Sequence, residues 1–152
     1  AGICPIGKLL DMPEADWHKV FGVNVDGLFH VTRAVVPHMI ARRSGTVVNL
    51  ASWMGKSGVA SYGAYCASKF AQMGFAQALD YETREQGVKV SVIAPGGVGT
   101  HFAFGTGRTP GDPALDAMLD AQDVAEAVLF AVTQPAKARV FLIGMRPMAE
   151  AL

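Results

Sequence analysis

Val88-Lys89-Val90-Ser91-Val92-Ile93-Ala94-Pro95-Gly96-Gly97 is a run of β-branched residues closed by a turn signal. A near-continuous apolar stretch of this length reads as a strand buried on both faces of a parallel sheet. Working outward toward the N-terminus, the spacing predicts a long helix over residues 64–86, stopped by Gly87. Before it stands a second short apolar run, 46–50, also expected to be buried on both faces. Still earlier, a short helix from Pro13 leads into a longer one, whose Leu28, Val31, Val35 and Met39 share a face, with Arg42, Arg43 and Gly45 as stop signals. On the other side, residues 99–120 are rich in Gly, Pro, Thr and Asp and read as a mobile loop. A helix over 122–133, with Val124, Val128 and Val132 in register, and a last strand over 140–143 complete the chain. Strands alternating with helices of this length specify an α/β fold with a doubly wound parallel sheet, here a single domain over 1–152. Ligands in such sheets sit beyond the carboxyl ends of the strands, which nominates the loops at Ser52 and at Pro95-Gly96.

Composition narrows the function classes. With 51% hydrophobic and 17% charged residues, the chain has ample material for a packed core, which excludes disorder. Thirteen basic against thirteen acidic residues leave no electrostatic footprint for nucleic acid or an anionic membrane, so neither is expected as a partner. No apolar stretch is long enough to span a bilayer. Two cysteines, Cys4 and Cys66, are too few for a disulfide scaffold and point to a reducing, cytoplasmic setting. The opening Ala1-Gly2-Ile3, with neither an initiator Met nor a signal segment, reads as an interior start, and the parent protein is expected to carry a further N-terminal half.

Tyr65 and Lys69 stand four positions apart in Tyr65-Cys66-Ala67-Ser68-Lys69. On a helix that spacing puts them on one face, about 5–6 Å apart at Cβ. A phenol with an ordinary pKa of ~10 is a poor acid–base group at neutral pH, and a neighbouring ammonium favours its ionised form. Such a pair can give or take a proton, whereas an isolated Tyr does so poorly. Tyr and Lys at this spacing occur by chance on many helices, so the pair gains meaning only from its surroundings. Ser52 ends the preceding strand, thirteen residues before Tyr65, and Asn24 lies twenty-eight residues before Ser52 in a helix interior where Asn is a poor helix former. An Asn there competes for backbone hydrogen bonds and implies a local distortion.

This spaced set, with Ala1-Gly2 before it and Pro95-Gly96-Gly97-Val98-Gly99-Thr100 after it, resembles the short-chain dehydrogenase/reductase family across essentially the whole chain. The resemblance implies a Rossmann-like sheet, incomplete on its N-terminal side, and an NAD(P)-dependent oxidoreductase interconverting a small-molecule carbonyl and a secondary alcohol. Tyr65 would be the general acid/base, Ser52 would hold the substrate oxygen, and Lys69 would hold the nicotinamide ribose. Asn24 would bind a water linking Lys69 to solvent. Ala1, Gly2, Pro95, Gly96, Val98 and Thr100 would line the cofactor together with Tyr65 and Lys69, NADP being favoured over NAD. The family's Thr-Gly-x-x-x-Gly-x-Gly turn, which grips the pyrophosphate, does not occur in these residues. A homodimer or homotetramer is implied as well. The alternative is a non-catalytic fragment or interaction module that keeps the motif residues by descent.

Trp53, Met54, Tyr62, Phe102 and Phe104 flank the candidate site in sequence, and some of them, Met54, Tyr62 and Phe102 foremost, are expected to line an apolar substrate pocket, the others filling core space. The segment 101–120 is expected to close over it as a lid. Gly55-Lys56-Ser57 is no phosphate-binding loop, because the required earlier glycine is Leu50. His18, His30, His38 and His101 have no metal-ligand spacing, and Cys66 is expected to be a buried, inert thiol.

Overall fold

The computed structural model describes residues 2–150, so the expected contribution of Ala1 to a cofactor site lies outside the described residues. Three parallel strands, β1 (Gly45–Leu50), β2 (Val88–Pro95) and β3 (Leu142–Met145), form a sheet in the order β1-β2-β3. Val47 pairs with Val90, Leu50 with Ile93, and Val92 with Leu142. The helices are α1 (Glu14–Phe21), α2 (Gly27–Ala41), α3 (Gly63–Thr83) and α4 (Ala121–Val132). The α/β architecture with a parallel sheet is therefore as expected, with each long helix within a residue or two of its sequence-based bounds at its start.

β2 is the central strand, and Val90, Val92, Ile93 and Ala94 are fully buried. With Ala51 and Ala76 the inward valines form a core, onto which Val47, Met73, Leu79, Phe141 and Leu142 pack. β1 departs from expectation. It is an edge strand, mostly half-buried, with Leu50 54% exposed. One of its edges carries no partner among the described residues, so its apolar sequence is not matched by burial. α2 departs too: Thr32 and Val36 are its buried positions, whereas Val31 and Val35 lie exposed. The apolar stripe legible in the sequence is thus one helical position away from the face that packs inward.

Glycine decides two local geometries. Gly87 adopts φ +80°, closing the turn after α3 so that β2 can begin at once. Gly55 follows β1 in a short 3-10 turn, and a Cβ there would lie 2.8 Å from the carbonyl oxygen of Lys69. Only a bare backbone fits so close to α3, and that contact fixes the end of β1 against the helix carrying Tyr65 and Lys69.

Candidate active site

Between α1 and α2 the helix widens into a π-turn, Gly22–Asp26, with Asn24 at its centre and buried. This is the distortion that an interior Asn implied. The Asn24 side chain pairs with a neighbouring segment as one strand pairs with another. Its Oδ1 accepts from Ile3 N–H at 2.9 Å, and its Nδ2 donates to the Ile3 carbonyl at 3.0 Å and to Ser68 Oγ at 3.0 Å. Ser68 Oγ in turn donates to the Tyr65 carbonyl at 2.8 Å. Asn24 thereby ties the Gly2–Ile3 backbone to the turn of α3 that bears Tyr65. The Asn24 carbonyl accepts from Gln72 Nε2, and Gln72 Oε1 accepts from Lys69 Nζ at 3.0 Å, so a side chain links the π-turn to Lys69. Sequence reasoning missed Gln72.

Ser52, Tyr65 and Lys69 are all buried and line one cavity of about 680 Å³. Ser52 reaches it from the end of β1, its Oγ accepting from Met54 N–H at 3.1 Å. A further side-chain hydrogen bond joins Ser52 to Tyr65. Gly2, Pro95, Gly96, Val98 and Thr100 line the same cavity, as do Trp53, Met54, Tyr62 and Phe102. The Phe102 ring stands 6.0 Å from that of Tyr65. Phe104 does not line this cavity; it lines a separate small hollow with His101 and Leu115. The lid segment, besides Phe102, contributes residues that the sequence did not single out, chiefly Arg108, whose Nη1 donates to the Val98 carbonyl at 2.7 Å. At the far end the Glu150 carboxylate accepts from Gly97 N–H at 2.9 Å and from Arg146 Nε at 3.1 Å.

Burial dominates the electrostatics. It pushes the Tyr65 phenol up to about 12, against which the Ser52 hydrogen bond and the Arg108 charge pull down. It draws the Lys69 amine down to about 8. At the Tyr65 phenol burial outweighs the nearby charges, opposite in direction to the expected acidification. Lys69 Nζ lies 5.4 Å from the centre of the phenol ring and donates to the Leu50 carbonyl and to Gln72. Cys4, in the cavity wall, is raised to about 11, chiefly by burial, and Cys66 is buried and unpaired with Cys4; neither thiol is placed as a nucleophile. Among the described residues no cluster of His, Cys, Asp or Glu could hold a metal, and no helix is long and apolar enough to cross a membrane.

A lysine ammonium has three donors. Two are engaged, by the Leu50 carbonyl at 3.3 Å and by Gln72, and the third has no acceptor among the described residues. A cavity with a spare ammonium donor, a phenol–hydroxyl pair and a Pro95-Gly96 wall against which the Glu150 carboxylate lies fits the ribose and ring of a nicotinamide nucleotide.

Comparisons with known proteins agree with this geometry. The sequence pattern of the family described as short chain dehydrogenase matches residues 1–109. An uncharacterised oxidoreductase of Staphylococcus epidermidis is 34% identical over 148 residues, covering 97% of this chain and 62% of that protein. One from Staphylococcus aureus is 36% identical over the same shares. The chain thus spans 62% of the length of these curated relatives. Among solved structures, the closed form of a serine dehydrogenase complexed with NADP+ superposes with a TM-score of 0.89 at 28% identity, covering all of this chain and 64% of that one. A 4-hydroxyisoleucine dehydrogenase mutant complexed with NADH and succinate gives 0.83 at 25% identity, over 99% of this chain and 66% of that one.

Proposed function

The chain belongs to the short-chain dehydrogenase/reductase family, and from that premise we propose that it carries the proton-transfer site of a nicotinamide-dependent oxidoreductase interconverting a carbonyl and a secondary alcohol. The observation that carries this reading is the convergence of Ser52, Tyr65 and Lys69, from two different elements, on one cavity. When bound, NADPH or NADH would supply the hydride in reduction, and NADP+ or NAD+ would accept it in oxidation. Ser52 Oγ holds the carbonyl oxygen beside Tyr65. The phenol gives that oxygen its proton as carbon receives the hydride, which leaves an alcohol and a phenolate; solvent reprotonates the phenolate. Lys69 presents its third N–H to the ribose hydroxyls, and Gly2, Pro95, Gly96, Val98 and Thr100 form the wall against the nicotinamide. Burial keeps the phenol protonated at neutral pH, the form that donates in the reductive direction.

Trp53, Met54, Tyr62 and Phe102 favour an apolar or amphipathic small carbonyl compound as substrate. The exposed Phe29, Val31 and Val35 of α2, with Phe70 of α3, support assembly into a homodimer or homotetramer, which sedimentation velocity reads directly. The test of the catalytic reading is oxidation of NADPH and NADH by the full-length protein over a panel of aldehydes and ketones. Activity that disappears in Tyr65→Phe supports it. Failure of the full-length protein to bind either dinucleotide by calorimetry overturns it in favour of a non-catalytic module.

A further inference from the structure

The buried seam between the π-turn and α3 contains one polar side chain that the proposed chemistry does not use. Gln72 is buried, and its amide is held at both ends by partners of opposite polarity. Lys69 Nζ can only donate and the Asn24 carbonyl can only accept, so Oε1 must face the lysine and Nε2 the π-turn. Its backbone is anchored as well, the Gln72 carbonyl accepting from Asn49 Nδ2 of β1 at 3.1 Å. Sheet, π-turn and α3 therefore meet at this residue.

We propose that Gln72 is a positioning residue for Lys69, clamping the ammonium against the Leu50 carbonyl so that its one remaining N–H faces the cavity. The clamp gives Lys69 its role in the function proposed above, but its geometry and its test do not depend on turnover. It has a consequence for proton flow. To pass a proton from Nζ to the Asn24 carbonyl, Oε1 would have to take one and Nε2 release another, leaving Gln72 as its imidic acid tautomer. An amide is neither an acid nor a base near neutral pH, so Gln72 carries no proton inward. Gln72 thus holds Lys69 in place without relaying its proton to the π-turn.

The experiment follows the titration of Lys69 itself, by NMR of the full-length protein labelled with 13C at lysine Cε. The resonance is assigned by its loss in Lys69→Arg. Facing Lys69 are Tyr65 from its own helix and Cys4 from the N-terminal segment, both of which stay protonated through the window below pH 10; Arg108, Asp112 and Glu150 also line the cavity. Gln72→Leu removes an acceptor from a desolvated ammonium, and the Lys69 midpoint should fall by about half a pH unit or more. Gln72→Glu places a carboxylate on the same atom, and the midpoint should rise by about one unit or more. The fall in Gln72→Leu is the decisive arm, because removing a residue that merely fills space leaves the midpoint where it was; the rise in Gln72→Glu confirms that position 72 lies against the ammonium. Should Gln72→Leu fail to fold, Gln72→Met replaces it with the same expected fall. Any pattern other than a fall with the apolar residue and a rise with Glu overturns the proposal. Loss of redox activity for other reasons leaves this readout intact.

Discussion

The two walls of the cavity are built by opposite means. On one, Ser52 at a strand end and Tyr65 and Lys69 on α3 line the cavity, with Asn24 in the π-turn behind them; all four are buried, and Ser68 and Gln72 join the π-turn to α3 by side-chain hydrogen bonds. The facing wall, residues 98–119, is almost all turns. Ala103, Gly105, Gly107 and Gly111 have positive φ there, and one bridge, Val98 to Leu119, gathers its ends. It touches the fixed wall through few contacts, among them Thr106 Oγ1 donating to the Cys4 carbonyl at 3.1 Å. Groups that move a proton must hold their distances within a fraction of an ångström, and packing of helix on sheet supplies that. A wall that admits and releases substrate needs low local stability instead.

The sharpest way to probe the fixed wall is to remove its acid while keeping its shape. Tyr65→Phe retains the ring against Phe102 and loses only the phenolic O–H. Turnover of the full-length protein should fall about 10²–10⁴-fold while dinucleotide affinity stays within about threefold, as read by NAD(P)H absorbance and calorimetry. A fall in affinity as large as the fall in rate would make Tyr65 a binding residue and remove the basis for calling this wall the chemical one.

Asn24 tests the wall's rigidity rather than its chemistry. Asn24→Leu strands the Ile3 N–H and carbonyl and leaves Ser68 without a donor. Each buried orphan costs on the order of 1–3 kcal/mol, so denaturant unfolding should show a loss of about 3 kcal/mol or more. A loss below about 1 kcal/mol would mean that the seam is solvated and holds nothing in place.

The fixed wall was also the more legible in sequence. Ser52, Tyr65, Lys69 and Asn24 stand at spacings that a helix and a strand end convert directly into shared faces, and all four lie in the seam or the cavity. Periodicity failed where burial depends on what packs outside an element. The Val31 and Val35 stripe and the two-sided burial expected of β1 are intrinsic to sequence, but exposure is decided by neighbours. Gln72 went unread because a lone glutamine carries no pattern; only its position between an ammonium and an opened helix carbonyl gives it meaning. Arg108 and Phe104 went astray for a different reason. In a loop of turns, order along the chain does not say which side chain faces the cavity, and Arg108 does while Phe104 does not.

The pKa shifts sharpen the contrast in a smaller, pH-dependent effect. Burial lowers the Lys69 pKa from 10.5 to about 8, so between those values the unfolded chain binds a proton that the native one does not. Stability contributed through Lys69 therefore rises with pH across that window, by about 1 kcal/mol per unit. Cys4, raised to about 11, and Tyr65, raised to about 12, act in the reverse sense, their contributions being lost as pH climbs above 9 and 10. Urea midpoints of the wild type and Lys69→Met, compared from pH 8 to 10, largely cancel the Cys4 and Tyr65 contributions, leaving that of Lys69 and its coupling to Cys4. The wild type should gain on the variant throughout. Parallel curves would place the amine in water and not in the wall.

The smallest effect belongs to the turn-built wall. Arg108 anchors it by a single hydrogen bond, to a Val98 carbonyl that also accepts from Thr100 N–H, so removing the guanidinium leaves that acceptor satisfied. Nothing buried is orphaned, and Arg108→Ala should cost about 1 kcal/mol or less in denaturant unfolding. Hydrogen exchange of the amides at 99–112 should quicken while those of α3 and β2 keep their protection, because local opening of the loop does not require the sheet to part. A cost equal to that of Asn24→Leu, or faster exchange spreading into β2, would mean that the two walls unfold as one unit. Entry to the cavity would then need motion of the catalytic groups themselves, which the buried seam around Asn24 and Gln72 opposes.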